Sequence, residues 1–323
     1  MRKRPTIRDV AREAGVSVAV VSRVLNDGTG PVAPQTRARV VEVIERLGFQ
    51  PRAAARELQQ QSSTTIGLVL ADLANPFFAR LADRVVWEAR ARGIHAVLLT
   101  NQEDPHLEAE SLETLVGRSV GSVIATPTGG NLDKWRRLIS LGVNVVFVDR
   151  EIDDMPEADV VAINNELSAE VATQHLLDLG HERIALVSGP LSTSTGRDRV
   201  AGFRLAMARA GVEVDERLIH PIPFRGDAGG DAVSALRRVK QTSIAVPDDL
   251  SLVVFDDNPW TELVSPPLTV VRQPIDMLAL HSVDLAVGRM RGALSEPPRR
   301  IRVDADFVRR SSSAPYPSSV PAG

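Results

Sequence analysis

The chain has no cysteine among its 323 residues, and this absence excludes disulfide bonds, thiolate metal sites and a cysteine nucleophile. Long apolar runs are also missing, because none approaches the ~18 residues that a membrane-spanning helix needs. The N-terminal "MRKRPT" leads into a charged, amphipathic segment and not into the apolar core of an export signal. These absences predict a cytoplasmic protein without a membrane partner.

Motifs typical of enzymes are missing as well. There is no G-x-G-x-x-G, Walker A, G-x-S-x-G or H-E-x-x-H pattern, so phosphate cradles, nucleophile elbows and zinc sites of recognisable spacing are not expected. His181 stands in "HERIA", a His-Glu pair without a second histidine, which favours a loop residue over a metal ligand. We therefore expect no enzymatic activity, no metal and no cofactor.

Charge is unevenly distributed along the chain, although the net charge is −3. Residues 1–60 carry 11 Lys and Arg against 6 Asp and Glu, whereas the remainder carries 27 against 35. A basic module of this size on an acidic body is a footprint for a polyanion. From charge alone, the alternative is that these basic residues belong to a solvated surface helix that binds no polyanion.

Three short helices are predicted at the N-terminus. A capping-box pattern that starts at Thr6 precedes a helix over 7–14, which Gly15 ends. Ser17 is a good N-cap for a second helix, and a third helix is predicted over 34–48. Two helices joined by a tight turn that contains glycine are the signature of a helix-turn-helix unit.

Two further segments are predicted to lack stable structure of their own. The residues after Pro51 are helix formers, but a helix near 51–59 is too short to be stable in isolation and needs a partner to order it. The tail over 311–323, "SSSAPYPSSVPAG", is poor in apolar residues and rich in serine and proline. We therefore expect this tail to be disordered.

From Ile66 onward the sequence pattern changes. Apolar runs such as "IGLVLA", "AVLLT", "GSVIAT" and "VNVVFVD" alternate with helical stretches, and a second series with "RIALVSG", "LIHPIPF" and "LSLVVFDD" follows. Such alternation predicts βα units and parallel sheets. The expected architecture is an all-α head joined to an α/β body of two lobes.

This order of elements, together with its local motifs, resembles the LacI/GalR family of transcriptional repressors. The resemblance rests on "TIRDVAREAGVSVAVVSRVLN", "IGLVLADLANPFF", "HLLDLGHERIALVSGP", "GRDRVAGFRLAM" and "VPDDLSLVVFDD", and it covers about Pro5 to Arg310. It implies a helix-turn-helix head over 1–60 with a hinge helix near 51–59. It also implies a body over 61–310 that binds an effector and dimerises.

The resemblance further implies that the body has two lobes like those of periplasmic binding proteins. Lobe one would comprise about 65–162 and 275–302, and lobe two about 163–274 and 303–310. After "SALRRV" only "KQTSIA" precedes "VPDDLS", where relatives have another strand and helix, and six residues are too few for a parallel crossover. Lobe two is therefore expected to lack one strand-helix unit, with some loss of stability and of effector response.

In the family, the second helix lies in the major groove of operator DNA, so Val18, Ala19 and Arg23 would reach base edges. Arg23 has the donors for a bidentate bond to guanine, whereas Val18 and Ala19 suit apolar contacts, unless they are core residues. A leucine at the position of Leu58 would wedge into the minor groove. The DNA-binding residues implied are Thr6, Ser17, Val18, Ala19, Ser22, Arg23, Asn26, Arg52, Ala55 and Leu58.

Family members close their two lobes over a small effector, usually a sugar or a nucleoside-type metabolite. Aromatic faces pack on sugar rings, while Arg, Asp and Gln side chains form hydrogen bonds with hydroxyl groups. The effector-binding residues implied are Phe77, Phe78, Asn165, Thr195, Arg199, Phe224, Asp256 and Gln273. For each aromatic residue, a core role is the alternative.

The sequence thus predicts a DNA-binding transcriptional regulator that acts as a repressor on a palindromic operator. It would act as a homodimer, or as a tetramer, and respond to a sugar-like small molecule. An effector-insensitive regulator, owing to the missing segment of lobe two, is a second interpretation. A periplasmic sugar-binding protein would share the body, but that role needs an export signal and no DNA-reading head.

Overall fold

The computed structural model describes residues 7–25, 32–47, 63–118, 120–223, 241 and 244–316, and for Ile7, Ser22, Leu25 and Glu45 it describes the backbone alone. Within these ranges a head of three helices precedes two α/β lobes. None of the helices in this part of the chain is long and apolar enough to cross a membrane.

The head consists of α1 (Ile7–Ala14), α2 (Val18–Leu25) and α3 (Pro34–Leu47). Gly15 has a φ of 65° in the turn between α1 and α2, a conformation that glycine adopts at no steric cost. Val10, Val21 and Val40, one from each helix, are fully buried in a small apolar core. The prediction for the first helix is confirmed, and the third ends one residue before its predicted limit.

Lobe one is built around a six-stranded sheet in which all strands run parallel. Its strands are β1 (Thr65–Leu70), β2 (His95–Thr100), β3 (Ser122–Ala125), β4 (Asn144–Val148), β5 (Asp159–Ile163) and β10 (Arg300–Val303). The spatial order is β10-β5-β4-β3-β1-β2. The inner strands are continuous apolar runs because helices cover both faces of the sheet.

Four helices cover this sheet, namely α4 (Pro76–Ala91), α5 (Pro105–Gly117), α6 (Leu132–Ser140) and α9 (Ile275–Met290). The side chains of Asn75 and Asp104 cap α4 and α5, and a proline occupies the first helical position in both. Leu81 and Leu278 are fully buried in one apolar core of this lobe, and Trp135 is fully buried in the other. Lobe one therefore takes a helix and a strand from the distant end of the chain.

Lobe two contains α7 (Asn165–Asp178) and α8 (Ser194–Arg209) with the strands β6 (Leu186–Ser188), β7 (Ile219–Pro221), β8 (Val253–Phe255), β9 (Thr269–Arg272) and β11 (Asp306–Val308). Its described strands form two separate sheets, β6-β7 and β8-β9-β11. Among the described residues no strand joins β6 to β8. Residues 224–240, 242 and 243, which separate β7 from β8 in the chain, lie outside the described residues, so the missing strand-helix unit stays a prediction.

Three connections join the lobes, at residue 164 after β5, at 273–274 after β9 and at 304–305 after β10. Each connection leaves the carboxyl end of a parallel strand. Because these ends lie at one edge of a parallel sheet, the two lobes face one another there. Clefts at the carboxyl ends of parallel strands are the usual ligand sites of α/β proteins.

Residues 311–316 belong to the segment expected to be disordered, yet they pack on lobe two. Ser312 is fully buried, and its Oγ donates to the Leu252 carbonyl at 2.6 Å and accepts from the Thr269 N–H at 2.8 Å. The Tyr316 N–H donates to a carbonyl at the end of α7 at 2.7 Å. This packing depends on hydrogen bonds to backbone groups. The low apolar content of the segment therefore did not predict it.

Candidate functional site

The second helix of the head, α2, exposes the three side chains expected to reach DNA bases. Val18 is 41% exposed, and Ala19 and Arg23 are exposed as well. Val21 and Val24 lie on the opposite face and are buried in the head. Val18 and Ala19 are therefore not core residues of the head.

Ser17 fixes the start of α2, because its Oγ accepts a hydrogen bond from the Val20 N–H at 3.3 Å. Several predicted site residues lie outside the described residues or have an undescribed side chain: Thr6, Ser22, Asn26, Arg52, Ala55, Leu58 and Phe224. Their roles, including that of the leucine wedge, stay predictions.

A second group of polar side chains lies in the cleft, at the carboxyl ends of β4 and β8. Asp149 follows β4, is 5% exposed and has a φ of 71°. Asp256 follows β8 and has a φ of 73°. Aspartate populates this left-handed region more readily than most residues. The two strands thus bring one carboxylate from each lobe to the cleft.

Arg199 on α8 organises the polar groups that lobe two contributes. Its Nε donates to Asn165 Oδ1 at 2.9 Å, and its guanidinium carbon lies 3.8 Å from the centre of the Phe255 ring. Nε2 of Gln273 donates to Asp256 Oδ1 at 2.8 Å. The cluster thus combines a cation, a carboxylate, two amides and an aromatic ring.

Burial shifts the pKa values of the charged groups in the cleft. It raises the pKa of Asp149 to about 6, although Arg150 and Arg199 favour the ionised form. Burial also raises the pKa of Asp256, against the effects of Arg199 and of the hydrogen bond from Gln273. It lowers the pKa of Arg199. The cleft therefore holds these charges at a free-energy cost, which hydrogen bonds from a polar ligand would reduce.

Gln273 offers one free acceptor to a ligand. Its side chain is 6% exposed, and its Oε1 accepts no hydrogen bond from the described part of the chain. A buried carbonyl oxygen without a donor costs about 1–3 kcal/mol. A hydroxyl group in the cleft would supply the donor. Hydrogen-bond donors and acceptors beside an aromatic ring suit the hydroxyl groups and apolar faces of a sugar.

Three other predicted effector residues make contacts outside the cluster of Arg199, Asn165, Asp256 and Gln273. Phe77 and Phe78 are 3% and 4% exposed in the apolar core of lobe one, with their ring centres 5.0 Å apart. Phe78 also lies near Arg150, whose guanidinium carbon is 5.8 Å from the ring centre. Thr195 is buried at the start of α8, with its hydroxyl 3.3 Å from that of Thr193.

Sequence reasoning missed Asp149, Arg150 and Phe255. A signal for them exists, because "VFVDR" and "VVFDD" end buried strands of the two lobes in the same way, with an aspartate at the carboxyl end. Arg150, next to Asp149, is 3% exposed and pairs with Glu103. Comparing the strand ends of the two lobes would have brought these residues into the predicted site.

Direct contacts between the lobes surround the cleft. The Glu151 N–H, which follows β4, donates to Ser194 Oγ at the start of α8 at 3.0 Å. Arg197 on α8 forms an ion pair with Asp153 of lobe one. These contacts hold the carboxyl ends of the two sets of strands together.

Family models match both parts of the chain. A model for bacterial regulatory proteins of the lacI family matches residues 6–52. A model for periplasmic binding proteins and the sugar binding domain of the LacI family matches residues 63–238. A third model, for a periplasmic binding protein-like domain, matches residues 173–313. The matches divide the chain into the same head and body as the structure.

Similar proteins match over most of the chain. The HTH-type transcriptional regulator CelR of Thermobifida fusca is 33% identical over 340 aligned positions, which cover 96% of this chain and 99% of CelR. The ribose operon repressor of Escherichia coli (strain K12) is 31% identical, with 88% of this chain and 93% of the repressor covered. The solved structure of a CelR-cellobiose complex matches with a TM-score of 0.72 at 28% identity, over 96% of this chain and 100% of that chain.

The alignment with CelR is longer than the chain itself, so CelR has positions that this chain lacks. The head, the two-lobed body and the full-length relatives lead to one conclusion. The chain belongs to the LacI family of bacterial regulatory proteins.

Proposed function

We propose that this protein is a sequence-specific transcriptional repressor that binds a palindromic operator as a homodimer and responds to a sugar in the cleft. One observation carries the proposal: a single chain exposes Val18, Ala19 and Arg23 on a packed helix and holds a sugar-compatible polar cluster around the half-buried Arg199 side chain. The proposal includes action in the cytoplasm and no enzymatic activity. The relatives support it, since both are named as regulators of transcription.

The exposed face of α2 is the surface that we propose for reading DNA. Arg23 would donate two hydrogen bonds to guanine, a contact worth about 1–3 kcal/mol of discrimination, and Val18 and Ala19 would contact thymine methyl groups. Ser17 and the N–H groups at the start of α2 would bind phosphates, which fixes the register without reading the sequence.

A dimer would double the number of base contacts. One recognition helix reaches few base pairs, whereas two helices related by a twofold axis read both halves of a palindrome. Lobe one offers exposed apolar surface for a second copy: Trp87 on α4 is 56% exposed, and Leu98 on the edge strand β2 is 39% exposed. We propose that a second copy covers these two side chains.

A sugar would act on DNA binding through linkage. If the sugar binds one arrangement of the lobes better than another, and the heads bind DNA better in one of them, each ligand changes the affinity for the other by about 1–3 kcal/mol. Induction and corepression both fit this scheme. Asp149 and Gln273 are buried and Arg199 and Asp256 are half-buried in one polar cluster, which supports a retained sugar response.

The test is a selection of duplexes from a random library by the full-length protein, followed by binding titrations. We expect one palindrome to bind at least about 10³-fold more tightly than random duplex, and a chain that starts at residue 61 to bind neither. Cellobiose or D-ribose should change the affinity by about fivefold or more. Equal, salt-sensitive binding to every duplex would overturn the proposal.

A further inference from the structure

An ion pair between Glu103 and Arg150 lies directly beside the Asp149 carboxylate. Oε1 and Oε2 of Glu103 accept hydrogen bonds from Nη2 and Nη1 of Arg150, at 2.7 and 2.6 Å. The Arg150 side chain also reaches Asp149 through Nε, which lies 3.4 Å from Oδ2. One buried guanidinium group therefore contacts two carboxylates, and Glu103 accepts hydrogen bonds from both of its Nη groups.

The backbone holds Glu103 in a specific turn after β2. Gln102 and Glu103 both have positive φ angles, of 51° and 60°. The Glu103 N–H donates to Oδ1 of the fully buried Asn101 at 3.0 Å, and Nδ2 of Asn101 donates to the Thr126 carbonyl at 2.9 Å. The left-handed backbone conformation is unfavourable for glutamate and glutamine, so the surrounding contacts must impose this turn. The turn sets where the Glu103 carboxylate lies.

Four charged groups from four places in the fold act on Asp149. Arg150 at the end of β4 and Arg199 on α8 favour its ionised form. Asp256 after β8 and Glu103 after β2 oppose it, and burial opposes it most. Glu103 therefore has two effects on Asp149. It adds a negative charge nearby, and it occupies the guanidinium that would otherwise pair with Asp149.

An arginine fork that loses one carboxylate can form two parallel hydrogen bonds with another carboxylate within its reach. For Arg150 without the Glu103 charge, Asp149 is such a carboxylate, since its Oδ2 already lies 3.4 Å from Nε. Bidentate pairing would occupy the oxygens that accept hydrogen bonds from hydroxyl donors. The Asp149 oxygens would then be lost to a sugar in the cleft.

We propose that Glu103 is a positioning residue for effector recognition, because it occupies both Nη groups of Arg150, leaves only Nε beside Asp149 and so keeps the Asp149 oxygens available to sugar hydroxyl groups. The inference rests on the proposed sugar response. It adds a residue that does not contact the sugar and affects sugar binding only through Arg150 and Asp149.

The first test measures the titration of Asp149 directly and needs no ligand. Full-length protein labelled with ¹³C at the aspartate carboxyl carbon is titrated by NMR, and Asp149→Asn identifies the Asp149 signal. We expect the pKa of Asp149 to fall by about one unit or more in Glu103→Gln, because both effects of Glu103 are removed. The same titration midpoint in wild type and Glu103→Gln would overturn the proposal.

Two further variants make this test specific. Glu103→Asp keeps the charge but shortens its reach, so a smaller fall in the Asp149 pKa is expected, and this variant decides the question if Glu103→Gln does not fold. Glu113→Gln is the matched control, since it removes a carboxylate that pairs with Lys134 in the same lobe. It should leave the Asp149 titration unchanged, and a fall of equal size would contradict the specific role of Glu103.

The second test uses cellobiose and D-ribose as probes in isothermal titration. If either sugar binds wild type, Glu103→Gln should weaken that binding at least tenfold and leave operator affinity without sugar unchanged. Unaltered sugar affinity would overturn the proposal. If neither sugar binds, the expected sugar response fails for these probes, while the carboxylate titration still decides whether Glu103 controls Asp149.

Discussion

Single buried charges set the balance between stability and recognition in this protein. Burial shifts the pKa values of Asp149, Asp256 and Arg199 toward the neutral forms, so these residues cost stability where a ligand would need them. Asp257 differs. Burial would raise its pKa too, but hydrogen bonds, with those from Arg310 foremost, hold the value well below its usual range. That carboxylate therefore stabilises lobe two.

Replacing Asp149 by Asn tests the cost of the cleft charge. Asparagine has nearly the same shape and tolerates a φ of 71°. Because burial raises the pKa of Asp149 to about 6, its carboxyl group favours folding at low pH, and this contribution is lost as the pH rises through 6. We expect Asp149→Asn to raise the free energy of unfolding by up to about 3 kcal/mol at pH 8 and by about half as much at pH 5.

Urea denaturation of wild type and Asp149→Asn at both pH values measures this difference. The comparison cancels the contributions of other titrating groups. The stabilisation from Asp257 is lost only as the pH falls below about 4, because the pKa of that group is lowered, so it does not interfere. A variant equally stabilised at pH 5 and pH 8 would show that Asp149 does not carry this cost.

Arg23 is the residue of α2 for which we expect the clearest base preference. Arg23→Ala should lose discrimination at one base pair in each half-site, by about 1–3 kcal/mol, because it removes a bidentate donor from the groove. Titrations against single-base variants of the selected operator measure this loss. Arg39→Ala removes the same charge from an exposed position on α3 and is the control. A uniform loss of affinity on all operators for Arg23→Ala would argue for a phosphate contact instead.

At the scale of elements, the packing of α7 against α8 builds the side of the cleft that carries Arg199 and Asn165. The two helices approach closely at Gly202 on α8. A methyl group there would lie 2.0 Å from the Glu166 carbonyl oxygen and 3.0 Å from the Glu170 nitrogen. Since both neighbours are backbone atoms, a larger side chain would force the helices apart.

Gly202→Ala is therefore expected to destabilise the protein by about 3 kcal/mol or more, although alanine favours helices over glycine. Denaturant unfolding measures the loss. Gly117→Ala at the end of α5 is the matched control, because a methyl group there meets no atom within 4 Å. The control should be neutral or slightly stabilising. If both substitutions stabilise, the helices do not pack as closely as the structure shows.

For the whole molecule, the position of the apolar surface bears on assembly. Leu98→Asp places a charge on the surface of lobe one that we propose for dimer contact, so it should raise the dimer dissociation constant by at least about tenfold. Sedimentation analysis measures this change. Leu167→Asp on α7 alters a leucine that is 45% exposed on lobe two and should leave the dimer intact. Equal weakening by both would contradict the proposed surface.

Much of the fold was predictable from local pattern. Apolar spacing, capping residues and strand-helix alternation placed the helices of the head and the order of the body, because these features depend on neighbouring residues. The exposure of Val18, Ala19 and Arg23 also agrees with expectation. The composition of the C-terminal segment was misleading for 311–316, whose hydrogen bonds go to distant backbone groups.

The chemistry of the cleft needed the folded chain. Glu103 and Arg150 are ordinary charged residues in the sequence, and only the meeting of two strand ends makes them a buried pair beside Asp149. Phe77 carries a family motif but lies in the core of lobe one. Neighbouring residues decide which elements form, whereas the burial and partners of a charge depend on segments far apart in the chain.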